Sequence, residues 1–195
     1  MQSRDLVPVI VTPATDAAIA ALCDLDRLKR HAILETDEDS ALAIEFAQTA
    51  FDWLQPPGGC LRPSIAPQTL RIDLPCWPFA MIELPFGPVT EIESLKYFDE
   101  ANAEQTVSAS EYFLDGDVLI FNETWSAPSL YTRPGAVRIE YTAGLTPERV
   151  PRTIKTAIAQ CVAHWLENRE AVSSVGALQM MPLGVEDLIF SQRFR

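Results

Sequence analysis

Two histidines, His31 and His164, and four cysteines, Cys23, Cys60, Cys76 and Cys161, are the side chains best suited to metal or redox chemistry. The cysteines are scattered, with no Cys-x-x-Cys pair, so they lack the close spacing of zinc ligands or of a dithiol redox centre. Reduced structural thiols in a cytosolic setting are expected. The run His164-Trp165-Leu166-Glu167-Asn168 is not a His-Glu-x-x-His zinc motif. On a helix, the three-residue spacing pairs a partly buried His164 with the Glu167 carboxylate. A serine nucleophile would need a strained Gly-x-Ser-x-Gly elbow, and a phosphate loop a Gly-x-x-x-x-Gly-Lys run; neither occurs. Gly58-Gly59 and Gly135 read as turn punctuation. No catalytic, cofactor or metal constellation is expected.

Carboxylates are the abundant reactive type. Asp37-Glu38-Asp39 could recruit a cation, but is more simply the negative first turn of a helix. From Glu83 to Glu123 there are ten acidic residues and one base, Lys96. The stretch lacks the Asp-x-Asp-x-Asp-Gly order of a calcium loop, so a solvated acidic face is expected. Trp53 and Trp165 fall on helices and read as core. Trp77 and Trp125 fall in proline-rich loops, where an aromatic packs locally or anchors an interface.

These residues sit on a helix–sheet–helix order. Residues 1–13 read as extended or loose, and Asp24 caps a short helix with Leu25, Leu28 and Ala32 inward. Residues 37–54 form a longer helix with a stripe of Ile44, Ala47, Phe51 and Leu54, stopped by Pro56-Pro57-Gly58-Gly59. Residues 65–142 are proline-rich with short alternating runs: Gln68 to Leu74, Phe79 to Leu84, Val89 to Phe98, Val118 to Phe121 and Val137 to Tyr141. They predict an antiparallel sheet of short strands, with turns at Asp99 to Ala103 and Asp115 to Asp117. After Pro151, apolar residues at Ile154, Ala157, Ile158, Cys161, Val162, Trp165 and Leu166 trace one nearly complete helical face. The fold class is therefore α+β, a small helical bundle with an inserted antiparallel β-sheet. One domain is expected over 1–195, with helices in 24–60, the β-rich insertion in 65–145, the long helix in 150–172 and a C-terminal arm in 182–195.

The chain has 195 residues, enough to bury a core without disulfide or metal, and its 48% hydrophobic and 22% charged content is ordinary globular composition. A net charge of -12 disfavours a broad phosphate-binding surface and an anionic membrane surface. No signal peptide and no membrane-spanning run is expected.

Several separated motifs together resemble the tailed-phage head–tail connector (adaptor) proteins, including their counterparts in gene transfer agents. Asp24 to His31 is similar to a degraded form of the family's opening helix, and Asp37-Glu38-Asp39-Ser40-Ala41-Leu42 to its acidic entry to helix two. Leu84-Pro85-Phe86-Gly87-Pro88-Val89-Thr90-Glu91-Ile92 resembles its L-P-x-x-P-V-x-x-I strand pair, followed by Lys96-Tyr97-Phe98-Asp99. Arg133-Pro134-Gly135-Ala136-Val137-Arg138-Ile139-Glu140-Tyr141-Thr142-Ala143-Gly144 resembles R-P-G-A-V-x-V-x-Y-x-A-G. Ala163 to Val172 resembles A-H-W-x-E-N-R-E-A-V, and Pro182 to Leu188 the terminal motif, with Phe194-Arg195 where Tyr-Arg is usual. The likeness spans about residues 24–195 and leaves the first twenty or so outside.

The resemblance implies a non-enzymatic part: a ring, usually dodecameric, under the portal protein, extending the DNA channel and carrying the stopper or tail-terminator protein. DNA would be passing cargo only, with no membrane partner and no cofactor. The protein would reside in the cytoplasm during assembly and then at the head–tail interface of the virion. An acidic channel wall would repel phosphates and let DNA slide; its candidate residues are Asp37, Glu38, Asp39, Glu91, Glu93, Asp99 and Glu100. The candidate portal-docking arm carries Leu183, Val185, Leu188, Ile189, Phe190, Arg193, Phe194 and Arg195, and its removal is expected to leave the monomer folded. The alternatives are a different tail-completion protein, or a small enzyme with an unrecognised site.

Overall fold

The computed structural model describes residues 6–22, 37–78, 80–168 and 184–190. The helix expected from Asp24, with Cys23 and His31, lies outside them, as do Leu183, Arg193, Phe194 and Arg195. The fold is α+β, and the chain divides into two compact units, Met1–Ala14 with Pro67–Gly144, and Thr15–Ala66 with Leu145–Arg195.

The described residues of the first unit form strands and one 3-10 turn, Ala109–Glu111. Its strands are β1 (Val9–Thr12), β2 (Gln68–Leu74), β3 (Met81–Glu83), β4 (Val89–Phe98), β5 (Glu104–Thr106), β6 (Tyr112–Asp115), β7 (Val118–Phe121) and β8 (Val137–Ala143). The expected single sheet is two: a five-stranded sheet in the order β1-β2-β8-β4-β5, and a three-stranded sheet in the order β3-β7-β6. All pairings are antiparallel. The period-two alternation sends Leu70, Ile72 and Leu74 of β2, and Val137, Ile139, Tyr141 and Ala143 of β8, into a core shared with Ile82, Leu119 and Phe121 of the smaller sheet. The strand expected from Phe79 to Leu84 shrinks to Met81–Glu83. Of the N-terminal stretch read as extended or loose, Val9–Thr12 is extended as β1, which pairs with β2 through Val9↔Arg71 and Ile10↔Leu70.

The second unit is helical among its described residues: α1 (Asp16–Leu22), α2 (Asp37–Leu54), α3 (Arg152–Glu167) and α4 (Val185–Phe190). The inward stripe of α2 is Ser40, Ala43, Ala47, Ala50, Phe51 and Leu54, all buried. Ile44, expected inside, is 42% exposed. Three alanines along the stripe let the neighbouring helix approach closely, and Ile44 is left on the rim. On α3, Ile154, Ala157, Ile158, Cys161 and Val162 are buried as expected, while Trp165 and Leu166 are half-buried. Phe46 of α2 meets Trp165 edge-on at 5.8 Å. Past α2, the buried Gln55 amide fastens the connecting loop, donating to Ala66 O (3.1 Å) and accepting from Ile65 N (2.8 Å). Its Oε1 also accepts from Ala66 N (3.3 Å), so one side chain satisfies three backbone groups of the loop.

Candidate assembly interface

The motif Leu84 to Val89 is held from two sides. Leu84 N donates to Asp117 O at 2.8 Å, and Val89 N donates to the Asp117 carboxylate at 2.7 Å. Between these anchors, the Tyr141 hydroxyl donates to Pro85 O at 2.9 Å. Gly87 is required here, because a Cβ at this position would overlap the Asp117 carboxylate. Burial, then the Asp117 charge, pushes the Tyr141 phenol well above its ordinary value, so it stays a neutral donor. The Arg133–Gly144 motif supplies β8, the strand between β2 and β4. Gly135 turns the chain into it at φ 67°, and a Cβ there would press on Asp73 at 3.2 Å.

Beside this turn sits a cluster that the charge count hides. The Arg133 and Arg138 guanidiniums lie 4.0 and 4.9 Å from the centre of the Phe98 ring. Arg138 also reaches Asp73 (3.5 Å) and Glu104 (3.3 Å), Lys96 reaches Glu104 (3.5 Å), and Arg71 reaches Asp73 (3.3 Å). The described cations of the β unit are thus gathered on one face of the larger sheet. Phe98 and Arg133 stand 35 positions apart, so only the register β4–β8, with Lys96↔Arg138, could have shown their meeting. Trp77 and Trp125 do not anchor an exposed patch but pack with each other and with Phe121, which stacks on Trp125 at 4.0 Å. Trp77 Nε1 donates to Pro128 O at 2.8 Å.

The candidate acids are contributed by both units. Asp37, Glu38 and Asp39 open α2 in the helical unit. Glu91 and Glu93 are exposed on β4, with Glu93 accepting from Thr142 Oγ1 at 2.7 Å. Asp99 and the exposed Glu100 lie just past the end of β4, and Asp99 stands about 26 Å along the chain from Glu91 by strand rise. The Asp99 carboxylate closes its own turn, accepting from Ala103 N (2.9 Å), Gln105 Nε2 (2.9 Å) and Ala101 N (3.0 Å). Those hydrogen bonds, led by the one from Ala103, hold it below the usual carboxylate range.

In the C-terminal arm, α4 packs on α3 with Val185 and Ile189 fully buried, Leu188 half-buried and Phe190 exposed. Removing the whole arm would therefore open the helical core, against the expectation of an intact monomer. His164 faces Asn168 instead of the expected Glu167: Asn168 Nδ2 lies 3.4 Å from its Nδ1 and 2.9 Å from its carbonyl. This is C-cap geometry, in which the amide satisfies a last-turn carbonyl. Among the described residues there is no group of three metal-ligating side chains. No described helix is long and apolar enough to cross a membrane.

No protein-family model and no curated protein matches the chain. Solved structures do. A chain in the virion of a native gene transfer agent particle is 22% identical, with a TM-score of 0.69, over 95% of this chain and 94% of that one. A chain in the neck of an empty gene transfer agent particle, computed with C6 symmetry, is 23% identical, with a TM-score of 0.69 over 96% and 95%. A chain in the neck of a native particle, computed with C12 symmetry, is 20% identical, with a TM-score of 0.63 over 96% and 94%. At these identities the likeness is one of fold, and it runs over both units.

Proposed function

We propose that this chain is a structural subunit of a virion neck: a head–tail connector, or adaptor, that forms a ring under the portal of a phage or gene transfer agent. The observation that carries the reading is the near end-to-end likeness to chains from gene transfer agent necks. The C12 symmetry of one such neck supports a dodecameric ring that extends the DNA channel. The motifs Leu84–Ile92 and Arg133–Gly144, on which the family resemblance rests, are here the framework of the β unit, a scaffold role in keeping with a non-enzymatic part.

In this reading the stopper or tail-terminator protein binds the ring on the side away from the portal. The exposed Glu91, Glu93 and Glu100, together with the Asp37–Asp39 turn, repel DNA phosphates along the channel. Asp99 serves its own turn first, so its contribution is to the local field alone. The protein passes from the cytoplasm into the assembled particle.

The C-terminal arm docks on the portal through Phe190 and the residues after it, Arg193, Phe194 and Arg195. Val185 and Ile189 support it from within the helical core, with the half-buried Leu188 beside them. The test truncates the chain after Ile189, which spares the buried pair. We expect the shortened protein to keep its melting temperature and to lose binding to the cognate portal in a sizing-column assay. Undiminished portal binding would contradict the docking role of the arm.

A further inference from the structure

A ring of identical copies needs two different surfaces on each subunit, one meeting the other on the next copy. The inference below rests on the ring reading and names those surfaces. The β unit has two exposed apolar patches among its described residues. The first is β1: Val9, Ile10 and Val11 are 49%, 44% and 45% exposed, with Val7 also exposed just before them. The strand is an outer edge of the larger sheet, and residues 6–14 contain no charged side chain. The opposite edge, β5, is built otherwise: Glu104-Gln105-Thr106 is polar, and Glu104 is tied to Lys96 and Arg138. Charged edges are how sheets discourage outside pairing, and β1 has no such guard.

The second patch is the outer face of the smaller sheet. Register aligns Met81, Ile120 and Phe113 in one row across β3, β7 and β6. Met81 is 64% and Phe113 50% exposed. The next row is Glu83, Val118 and Asp115, so two carboxylates border the apolar stripe. Between Lys96 and Arg133 there is no lysine or arginine to offset them.

Electrostatics select what can cover this face. The segments forming the β unit carry thirteen acids against five bases, so most of its surface would repel an acid-bordered stripe on another copy. The β1 segment is apolar and uncharged, and meets the stripe without that penalty. We infer that β1 of one copy packs on the Met81–Ile120–Phe113 row of the next, and that this head-to-tail contact joins the ring. An edge and a face of the same unit are different surfaces, so the contact is of the head-to-tail kind from which rings are built.

The test compares four full-length proteins: wild type, Ile10→Asp, Phe113→Lys and the double variant. All substituted side chains are exposed, so the melting temperatures should agree. Self-association is read twice, by sedimentation equilibrium of the free chain at high concentration and by copies bound per cognate portal. Each single variant should weaken self-association at least about tenfold, about 1.4 kcal/mol. In the double variant the new carboxylate of one copy faces the new ammonium of the next, and association should recover. Single variants that associate like wild type, a double variant that does not recover, or a wild type that self-associates in neither format would each overturn the contact. Unaltered ring formation by the single variants on the portal would leave the connector reading standing while this contact falls. Self-association with the expected variant pattern, but no portal binding, would do the reverse.

Discussion

At the residue scale, Gly87 and Tyr141 explain why the Leu84–Val89 stretch is written as it is. The stretch must lie against Asp117 closely enough for Val89 N to reach the carboxylate, and that approach leaves no room for a Cβ. Gly87→Ala should destabilise the β unit by about 2–3 kcal/mol, the range for core strain with a lost hydrogen bond. Urea unfolding followed by tryptophan fluorescence reads this directly. The Tyr141 bond carries a pH signature. In the unfolded chain a tyrosine ionises near pH 10, whereas burial and the Asp117 charge raise the folded value. The stabilisation from this group is whole below about pH 10 and is lost as pH climbs from there toward the folded value. Tyr141→Phe should cost about 1 kcal/mol at neutral pH, the net worth of one hydrogen bond, and should flatten the alkaline loss of stability. An unchanged alkaline slope in the variant would argue against Tyr141 as its source. Burial, then the nearby Cys60, pushes the Cys161 thiol up to about 11, which makes it an inert core residue.

At the element scale, the strands and long helices were largely legible from periodicity. Gln68–Leu74, Val89–Phe98, Val118–Phe121, Asp37–Leu54 and the start of α3 after Pro151 fall where alternation, caps and breakers put them. The elements that escaped are short or atypical. β5, Glu104-Gln105-Thr106, has no apolar position to mark a face, and β6, Tyr112-Phe113-Leu114-Asp115, runs apolar without alternation. Strand β1 is apolar on both faces with no alternation, because it lies uncovered at a sheet edge. The error at Ile44 has a different cause. Counting apolar residues by helical spacing favours large side chains, whereas the buried stripe of α2 is built on Ala43, Ala47 and Ala50 around Phe51 and Leu54. Phe51→Ala should therefore cost about 3–5 kcal/mol, while Ile44→Ser should stay within about 0.5 kcal/mol, as surface changes do. Thermal or urea melts of the two variants decide between the stripes, and a larger loss at Ile44 would restore the first assignment.

At the scale of the whole molecule, the sequence pointed to a part and not to a catalyst, and the reasons are physical. The sequence carries no recognised catalytic motif of His, Cys, Ser or Gly, while the ordered motifs from Asp24 to Arg195 resemble those of connectors. What one sequence could not carry was the distribution of surface. The candidate carboxylates come from both units, and Asp99 is engaged by its own turn. Arg133 and Arg138, distant from Phe98 in sequence, meet at its ring once β4 and β8 pair. Among the described residues of the C-terminal arm, Val185 and Ile189 are core and Phe190 is surface. Such facts depend on register and packing between distant segments, which composition and local periodicity do not encode.

The connector assignment is tested most directly by the mass of the full-length protein mixed with its cognate portal, by light scattering on a sizing column. A complex carrying about one chain per portal subunit, as closed-ring geometry requires, is the predicted result. A chain that elutes apart from the portal at every ratio would contradict it.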